Sequence, residues 1–317
     1  MKTFIQQTTF FFLIFVLIFV CLALINFYLI NTESLICENK KVLILGDSST
    51  ECAINDTIYN SSINKSVAGD SYFYSFLRLK KFTNNSTSID TVFLSFAPHN
   101  IYNKGWLLDS YNVYTNFAKY YPLMSESEFL FILQNNFKAV LSALPNVIKL
   151  SIKNIIKKLI YRNLMSDYGR FYSLNRDLLN DMQAKLKNNE KLPFFNWSKT
   201  IEVSAIEQLY LDKIIKYCSK KGIELVLIST PKRHELLEYS RYGLKEFYEF
   251  YDKQYLAVDF MDFSNLSLPE DNYGDFVHLN SKGSTTFTNI LIKKGFNALF
   301  AKYGRTSNKK DSLNRGI

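Results

Sequence analysis

Cysteine and histidine are scarce in this chain, which has four cysteines and three histidines in 317 residues. The cysteine spacing fits neither a zinc site nor a Cys-x-x-Cys redox pair, so the sequence predicts no metal ion and no other cofactor. Cys37 and Cys52 could pair in an oxidising compartment, but their spacing alone gives this disulfide little support. An imidazole base that works near neutral pH can only be His99, His234 or His278.

The sequence also lacks internal repeats and any recognisable nucleic-acid-binding motif, although its formal net charge is +9. We therefore expect no nucleic-acid partner and interpret the positive charge as a preference for anionic surfaces, such as lipid headgroups or acidic glycans. Apolar residues make up 47% and charged residues 21% of the chain, which excludes disorder as its main state. The length suffices for one large α/β domain or two small ones.

Charge is absent from a stretch of 22 residues near the N-terminus, Thr9–Ile30. A helix that crosses the hydrocarbon core of a bilayer needs about 20 such residues. The run is longer than the apolar part of a signal peptide, no small-residue cleavage site is clear, and the residues before Cys21 are too bulky for a lipoprotein signal. The sequence therefore predicts one uncleaved transmembrane helix within residues 1–32. Lysines lie on both sides of it, so charge barely discriminates between the two orientations.

Four short apolar runs after this helix are typical of buried parallel strands. They are Lys40–Leu45, Thr91–Phe96, Ile223–Ser229 and Leu256–Met261. Helical patterns lie between and after them, at Asp70–Lys81, Ser204–Lys221 and about Ser281–Lys302. The second of these helices opens with a capping box, Ser204 and Glu207, and ends at Gly222. Strands that alternate with helices predict an α/β fold with a parallel, doubly wound sheet, whose ligands bind at the carboxyl ends of the strands.

Residues of about 101–200 interrupt this alternation and predict a helical insertion. Within them, Ser125 and Glu128 have capping-box spacing and start a helical pattern that runs to Pro145. A polar, basic tail begins at about Arg305, and we expect it to be disordered.

The part of the insertion after Pro145, Asn146–Leu164, is amphipathic. Its lysines at positions 149, 153 and 157 share one helical face, and its apolar residues at 148, 152, 155 and 159 share another. One interpretation is a helix that lies on an anionic membrane surface. The other, which we favour, is a lid helix packed on the core with a solvated lysine face.

Two short motifs carry side chains suited to acyl transfer. Asp275 and His278 lie three residues apart, so on a turn the carboxylate can orient the imidazole and stabilise its cation. Ser48 follows Gly46 and Asp47 at the end of the first predicted strand, where its hydroxyl would face the mouth of the sheet beside an oxyanion-binding helix terminus. Each motif also has a structural interpretation: such acid–histidine pairs are common by chance, and a serine here could simply cap a helix.

In this order and placement, the two motifs resemble the SGNH hydrolase family, also called GDSL-like. Its members have a nucleophilic serine in Gly-Asp-Ser after the first strand and Asp-x-x-His near the C-terminus. The resemblance implies a flavodoxin-like three-layer sandwich with Ser48, Asp275 and His278 as its catalytic triad.

The family also supplies oxyanion donors from a glycine and an asparagine. The stretch Asn64–Asp70, NKSVAGD, resembles the block that contains this glycine, which makes Gly69 the expected backbone donor. The third block, normally Gly-x-Asn-Asp, departs from the family pattern here and ends in His99 and Asn100. We expect Asn100 to be the side-chain donor, with His99 as its rival.

The resemblance is closest to membrane-anchored SGNH-like proteins of bacterial cell envelopes, which include O-acyltransferases that act on glycans. The resemblance covers about Lys41–Asn100 and Ser204–Phe300 and does not explain the insertion between them. We expect an SGNH-like domain over residues 33–304 that includes the insertion, followed by the tail at 305–317, and the resemblance places this domain on the extracytoplasmic side. It further implies a serine esterase or O-acyltransferase whose partners are acylated glycans or other esters. Two other classes stay open: a non-catalytic relative that binds envelope glycan or assembly partners, and a purely structural anchored domain.

Overall fold

The computed structural model describes the chain outside residues 34–38, 85–87, 103–106, 162–163, 165–167, 176–177, 189, 191–201, 295–303 and 306–317. The helices are α1 Lys2–Thr32, α2 Ser48–Ala53, α3 Tyr72–Asn84, α4 Pro98–Ile101, α5 Ser110–Tyr120, α6 Glu126–Asn135, α7 Phe137–Tyr161, α8 Leu179–Lys187, α9 Ala205–Lys221, α10 His234–Tyr239, α11 Arg241–Gln254 and α12 Ser281–Lys294. The strands are β1 Val42–Leu45, β2 Ser62–Asn64, β3 Thr91–Ser95, β4 Glu224–Ser229, β5 Asp259–Asp262 and β6 Gly304–Arg305. Short 3₁₀ turns lie at Tyr121–Leu123 and Glu270–Asn272.

The strands form one sheet in the order β2-β1-β3-β4-β5-β6. Strands β1 to β5 are parallel, and β6 pairs antiparallel with β5. The order of the parallel strands is that of flavodoxin-like doubly wound folds. The predicted α/β class with a parallel sheet is therefore confirmed.

Both faces of the sheet are covered by helices. Alternate side chains of the central strands, such as Ile44 and Phe93, join a buried cluster with Phe287 of α12. On the other face, Phe96 packs against Phe247 of α11, with ring centroids 4.7 Å apart. Because side chains of a strand alternate between the faces, near-continuous apolar runs are what such two-sided burial requires.

Within the described residues the four predicted strands are found, together with two that were not predicted, β2 and β6. Strand β2 is short and polar, with the sequence Ser-Ile-Asn, so it lacks the apolar run that marks its neighbours. The last parallel strand also starts three residues later than expected, at Asp259. Arg305, where the tail was expected to begin, lies in β6, and residues 306–317 are outside the described residues.

Helices α3 and α9 form where their patterns predict them. The Ser204 side chain accepts the Glu207 N–H at the start of α9, and Gly222 ends the helix with φ 67°, a left-handed conformation that glycine adopts without strain. Helix α12 begins at Ser281 as expected, and the end predicted near Lys302 lies outside the described residues.

The chain forms two compact units: Met1–Ile36 with Gly105–Asp167, and Cys37–Lys104 with Tyr168–Ile317. The second unit contains the sheet. In the first, α1 packs against α7, and α7 packs against α5. Among the described residues, α1 and α7 are long and apolar enough to cross a membrane, by length and composition alone.

The sequence pattern predicts a helix that runs to Pro145. In the structure, the break between α6 and α7 lies at Asn136 instead. The Asn136 side chain donates to the Leu108 carbonyl at 2.7 Å and accepts the Ala139 N–H at 3.3 Å. It therefore ends α6 and caps α7, while Pro145 lies inside the longer α7. The break falls at Asn136 because its side chain accepts an N–H of the first turn of α7 that has no partner within the helix.

Candidate active site

The turn between β1 and α2 presents Ser48. Gly46 has φ +142°, and a Cβ atom there would lie 2.2 Å from the Cβ of Ser95, so this turn requires glycine. The Asp47 carboxylate accepts the Ser49 N–H at 2.9 Å and caps α2. Capping is thus the task of Asp47, and Ser48, the half-buried first residue of the helix, has its hydroxyl available for other contacts.

The His278 imidazole connects Ser48 to Asp275. Its Nε2 lies 2.8 Å from the Ser48 Oγ, and its Nδ1 lies 2.8 Å from the nearer Asp275 carboxylate oxygen. An ionised carboxylate only accepts hydrogen bonds, so the Nδ1 carries the proton and the Nε2 is left to accept the Ser48 hydroxyl. This is the arrangement in which an imidazole can take a proton from a serine.

Asp275 is held in place by its own loop. It is buried, and one of its oxygens accepts the backbone N–H groups of Val277 and His278, each at 2.8 Å. Burial alone would raise the pKa of this carboxyl, but the His278 side chain and the two N–H groups outweigh it and hold the pKa of Asp275 well below its usual range. The Asp275 side chain is therefore a fixed negative charge at neutral pH.

A second buried carboxylate, Asp47, organises the end of β3. It accepts the Ser95 hydroxyl at 3.1 Å and the Asn100 amide N–H at 3.0 Å, and it is hydrogen-bonded to the His99 Nε2. Burial by itself would raise the pKa of Asp47, but His99, the nearby Lys232 and the Ser49 N–H lower it well below its usual range. The turn residue beside Ser48 thus positions both candidates for the side-chain oxyanion donor.

Asn100 and His99 differ in how their side chains are held. The Asn100 carbonyl oxygen accepts the Ala97 N–H at 2.9 Å, so both ends of its buried amide have partners. The His99 ring is partly exposed, and its Nε2 faces Asp47. An amide nitrogen has two protons, which lets Asn100 donate to Asp47 with one and to a ligand with the other.

Lys232 is a buried cation that the sequence analysis did not place in the site. Its Nζ donates to the Ser49 hydroxyl at 3.0 Å, the Thr230 hydroxyl at 3.1 Å and the Val277 carbonyl at 3.0 Å. Burial lowers its pKa to about 8, although Asp47 and Asp275 act in the opposite direction. Lys232 therefore joins the turn of Ser48, the segment after β4 and the loop of Asp275 and His278.

The predicted oxyanion donor Gly69 lies in a turn between β2 and α3, with φ 67°. Two residues earlier, the Val67 N–H donates to the Gly46 carbonyl at 2.9 Å. This bond ties the loop of Gly69 to the carboxyl end of β1, the same end from which Ser48 projects.

Three residues of the site were not predicted from the sequence: Asp47, Ser95 and Lys232. Each is polar and lies at or just beyond the carboxyl end of a parallel strand. That position could have identified them, because ligands of such sheets bind at this edge. Within the described residues, no group of three or more histidine, cysteine, aspartate or glutamate side chains is arranged to hold a metal ion.

Comparisons with known proteins are distant. One protein-family model matches residues 171–300, less than half of the chain. No curated protein shows significant sequence similarity to it. Similar solved structures include a GDSL-like lipase from Bacteroides thetaiotaomicron, with 10% identity, a TM-score of 0.35, and coverage of 82% of this chain and 89% of that chain. Another is a protein from Streptococcus pneumoniae proposed to be a platelet activating factor, with 12% identity, a TM-score of 0.36, and coverage of 86% and 90%.

Such low identities and TM-scores carry no information about activity. The fold and the site by themselves define an α/β protein with a hydrogen-bonded serine–histidine–aspartate chain at the carboxyl edge of its parallel sheet.

Proposed function

We propose that this chain is a membrane-anchored, SGNH-like serine esterase or O-acyltransferase with Ser48, His278 and Asp275 as its catalytic triad. The observation that carries the proposal is the hydrogen-bonded chain of these three side chains, with both links at 2.8 Å. Asp275 is an ionised carboxylate beside the Nδ1, and Ser48 stands at a strand-to-helix turn. These are the contacts that a nucleophile, its base and the group that orients the base require, and they support the proposal.

The proposed reaction begins with proton transfer from the Ser48 hydroxyl to the His278 Nε2. As the proton leaves, the Oγ attacks the carbonyl carbon of an ester and forms a tetrahedral intermediate. Asp275 stabilises the imidazolium through the Nδ1 proton. The intermediate collapses when His278 returns the proton to the leaving alcohol, and the acyl group remains on Ser48.

The negative charge on the carbonyl oxygen needs donors. We assign the backbone N–H groups of Ser48 and Gly69 and the side-chain amide of Asn100. The bond from the Val67 N–H to the Gly46 carbonyl, which holds the loop of Gly69 at the end of β1, and the second amide proton of Asn100 support this assignment. The loss of one such donor usually costs about a hundredfold or more in rate.

The acyl-enzyme has two fates. Water would release the acid and make the protein an esterase, whereas a sugar hydroxyl would accept the acyl group and make it a transferase. In both cases His278 takes the proton of the attacking hydroxyl and returns it to Ser48. We propose acyl esters of cell-envelope glycans as the substrates, a choice supported by the apolar N-terminal helix and the net charge of +9.

The triad would lie on the extracytoplasmic side, where envelope glycans are found. This orientation can be measured with C-terminal fusions to alkaline phosphatase, active only outside the cytoplasm, and to a fluorescent protein that matures only inside it. Activity of the phosphatase fusion is the expected result, and fluorescence of the other fusion would contradict it.

The catalytic proposal is tested on the full-length protein in detergent micelles with a fluorophosphonate probe and p-nitrophenyl acetate. We expect the wild type to be labelled on Ser48, identified by mass spectrometry of the labelled peptide, and to hydrolyse the ester. Ser48→Ala and His278→Ala should lose both properties. Ser219→Ala, a matched change at an exposed serine of α9, should retain them.

A folded wild type that neither labels nor turns over would contradict catalysis. In that case a glycan-binding or assembly role for the same cleft would be the better proposal, and glycan binding would be measured next. If the protein is active, incubation of an acetylated glycan with and without a non-acetylated acceptor distinguishes a transferase from an esterase.

A further inference from the structure

Helix α7 is buried along one face only. Side chains of Ala143, Val147, Ser151 and Asn154, spaced three or four residues apart, are buried. The opposite face of α7 is exposed over its whole length. In the first unit, α7 therefore has one face in contact with α1 and α5 and an opposite face that is exposed.

Polar contacts hold the C-terminal half of α7 beside the C-terminal end of α1. The Asn154 amide donates to the buried Asn26 side chain at 2.8 Å, and Asn26 in turn donates to the Tyr121 hydroxyl at 2.9 Å. Further along, the buried Glu33 carboxylate pairs with Lys158. Residues 154–158 of α7 therefore lie level with residues 26–33 of α1.

Residues 26–33 of α1 lie where its exposed apolar surface ends. Large apolar side chains are exposed on α1 from Phe4 to Tyr28, a rise of about 36 Å, whereas the hydrocarbon core of a bilayer is about 30 Å thick. Polar residues follow at Asn31 and Glu33. When α1 spans a bilayer, Asn26 to Glu33, and with them the C-terminal half of α7, lie at one boundary between hydrocarbon and headgroups.

The exposed face of α7 at this level is itself divided into two sides. At about 100° per residue, Ile152, Ile156 and Leu159 fall within about 60° of one another, and the lysines at 149, 153 and 157 occupy the adjoining 80° or so. The three apolar side chains are 44%, 50% and 78% exposed. The apolar face that the sequence pattern gives, at positions 148, 152, 155 and 159, is not the buried one, because Ile152 and Leu159 are exposed and the buried face runs through Val147 and Asn154.

We propose that the outer face of the C-terminal half of α7 lies in the headgroup layer of an anionic bilayer. Ile152, Ile156 and Leu159 enter the acyl boundary, and the three lysines contact anionic headgroups. Two observations favour this occupant: the charge complements anionic lipid, and the contacts of Asn154 and Lys158 place the surface level with the end of the apolar surface of α1. A spanning α7 is disfavoured, because its lysines would then lie in the hydrocarbon of the bilayer, where a charged side chain is costly.

The test uses full-length protein in lipid nanodiscs. Intact-mass measurement first shows that the purified protein still contains α1. Trp106 and Trp197 are replaced by phenylalanine, and Ile156→Trp provides the only tryptophan. We expect blue-shifted emission and stronger quenching by lipids brominated near the headgroup than by lipids brominated near the chain end. Replacement of phosphatidylcholine by phosphatidylglycerol should increase the quenching at least twofold.

A charge control isolates the lysines. The Lys149→Gln, Lys153→Gln, Lys157→Gln variant should lose the increase with phosphatidylglycerol, whereas the same change at three exposed lysines of α9, Lys216, Lys220 and Lys221, should retain it. If brominated lipids do not quench the emission of the tryptophan at position 156, this face of α7 contacts water or protein, and the proposal is overturned. Strongest quenching by the deepest bromine, or indifference to anionic lipid, would also overturn it. None of these readouts depends on esterase activity, so the two proposals can fail separately.

Discussion

The Ser48 hydroxyl lies 2.8 Å from the His278 Nε2, although the two residues are 230 positions apart in the sequence. The contact joins the turn after β1 to the loop before α12, which are near opposite ends of the sequence of the α/β unit. Lys232 donates to a neighbour of each partner, Ser49 and Val277, and so ties the same two loops together. The geometry of the site thus depends on three loops at one edge of the sheet, and each can be perturbed separately.

Asp275→Asn should leave the protein folded and reduce kcat about 10³–10⁴-fold. The amide cannot stabilise the imidazolium, and it favours the tautomer with the proton on the wrong nitrogen of His278. Turnover of p-nitrophenyl acetate and the melting temperature would be measured together. Asp271→Asn, a change at an exposed carboxylate paired with Lys282, is the matched control and should retain full activity. Equal activity of the two variants would exclude Asp275 from the triad.

Asn100→Asp and His99→Gln distinguish the two candidates for the oxyanion donor. Aspartate keeps an oxygen that accepts the Ala97 N–H but has no amide proton, so we expect kcat to fall about a hundredfold or more. Glutamine at position 99 keeps a donor for Asp47, and its effect should be less than about tenfold. A larger loss of kcat in His99→Gln would instead make His99 the donor.

Gly46→Ala should destabilise the protein by about 2–4 kcal/mol, because alanine would be strained at φ +142° and its Cβ would meet Ser95. Gly222→Ala is the matched control, since its φ is also positive but a Cβ there would meet nothing within 4 Å. We expect about 1 kcal/mol for the control. The comparison requires only denaturant unfolding, and equal losses would show that the close approach to Ser95 has no energetic weight.

Lys232→Met should reduce kcat about tenfold and the free energy of unfolding by about 1–3 kcal/mol. Methionine fills most of the volume but leaves the Ser49 hydroxyl and the Val277 carbonyl without this partner, and it removes the cation near Asp47 and Asp275. KM and kcat would be determined separately at a temperature where the variant is folded. Lys245→Met, at an exposed lysine of α11, should change neither. An unchanged kcat would reduce Lys232 to a structural role.

Glu207 should make stability depend on pH. Burial, and to a smaller degree Asp70, raises its pKa to about 8, although the Tyr72 N–H bond opposes this. Between about pH 4.5 and 8 the folded state keeps a proton that the unfolded state releases, so Glu207 lowers stability as pH rises through this window. Glu207→Gln should therefore gain stability relative to wild type from pH 5 to pH 8, as measured by denaturant unfolding. A constant difference, like that expected for the exposed Glu224→Gln, would contradict this.

The sequence was sufficient wherever the controlling interactions are local. Apolar runs identified β1, β3 and β4, because a strand buried on both faces needs such a run. Each end of α9 could be predicted from residues within one helical turn of that end: the N-cap from Ser204 and Glu207, and the C-cap from Gly222. The charge-free length of α1 identified a helix that can cross a membrane. The candidate triad was found from two motifs whose own geometry is local, a strand-to-helix turn and an aspartate three residues before a histidine.

Only the tertiary structure decided which of these pieces meet. Strand β2 exists because β1 offers it an edge, not because its three residues prefer extension. Nothing in the sequence around Lys232 indicates that it is buried, and its burial follows from loops that are distant in sequence. The periodicity of α7 could not show which of its apolar faces is covered, because that depends on Asn26 and Tyr121. Sequence periodicity records which residues share a face, whereas contacts over 100 or more positions depend on the order of the strands and the loops between them.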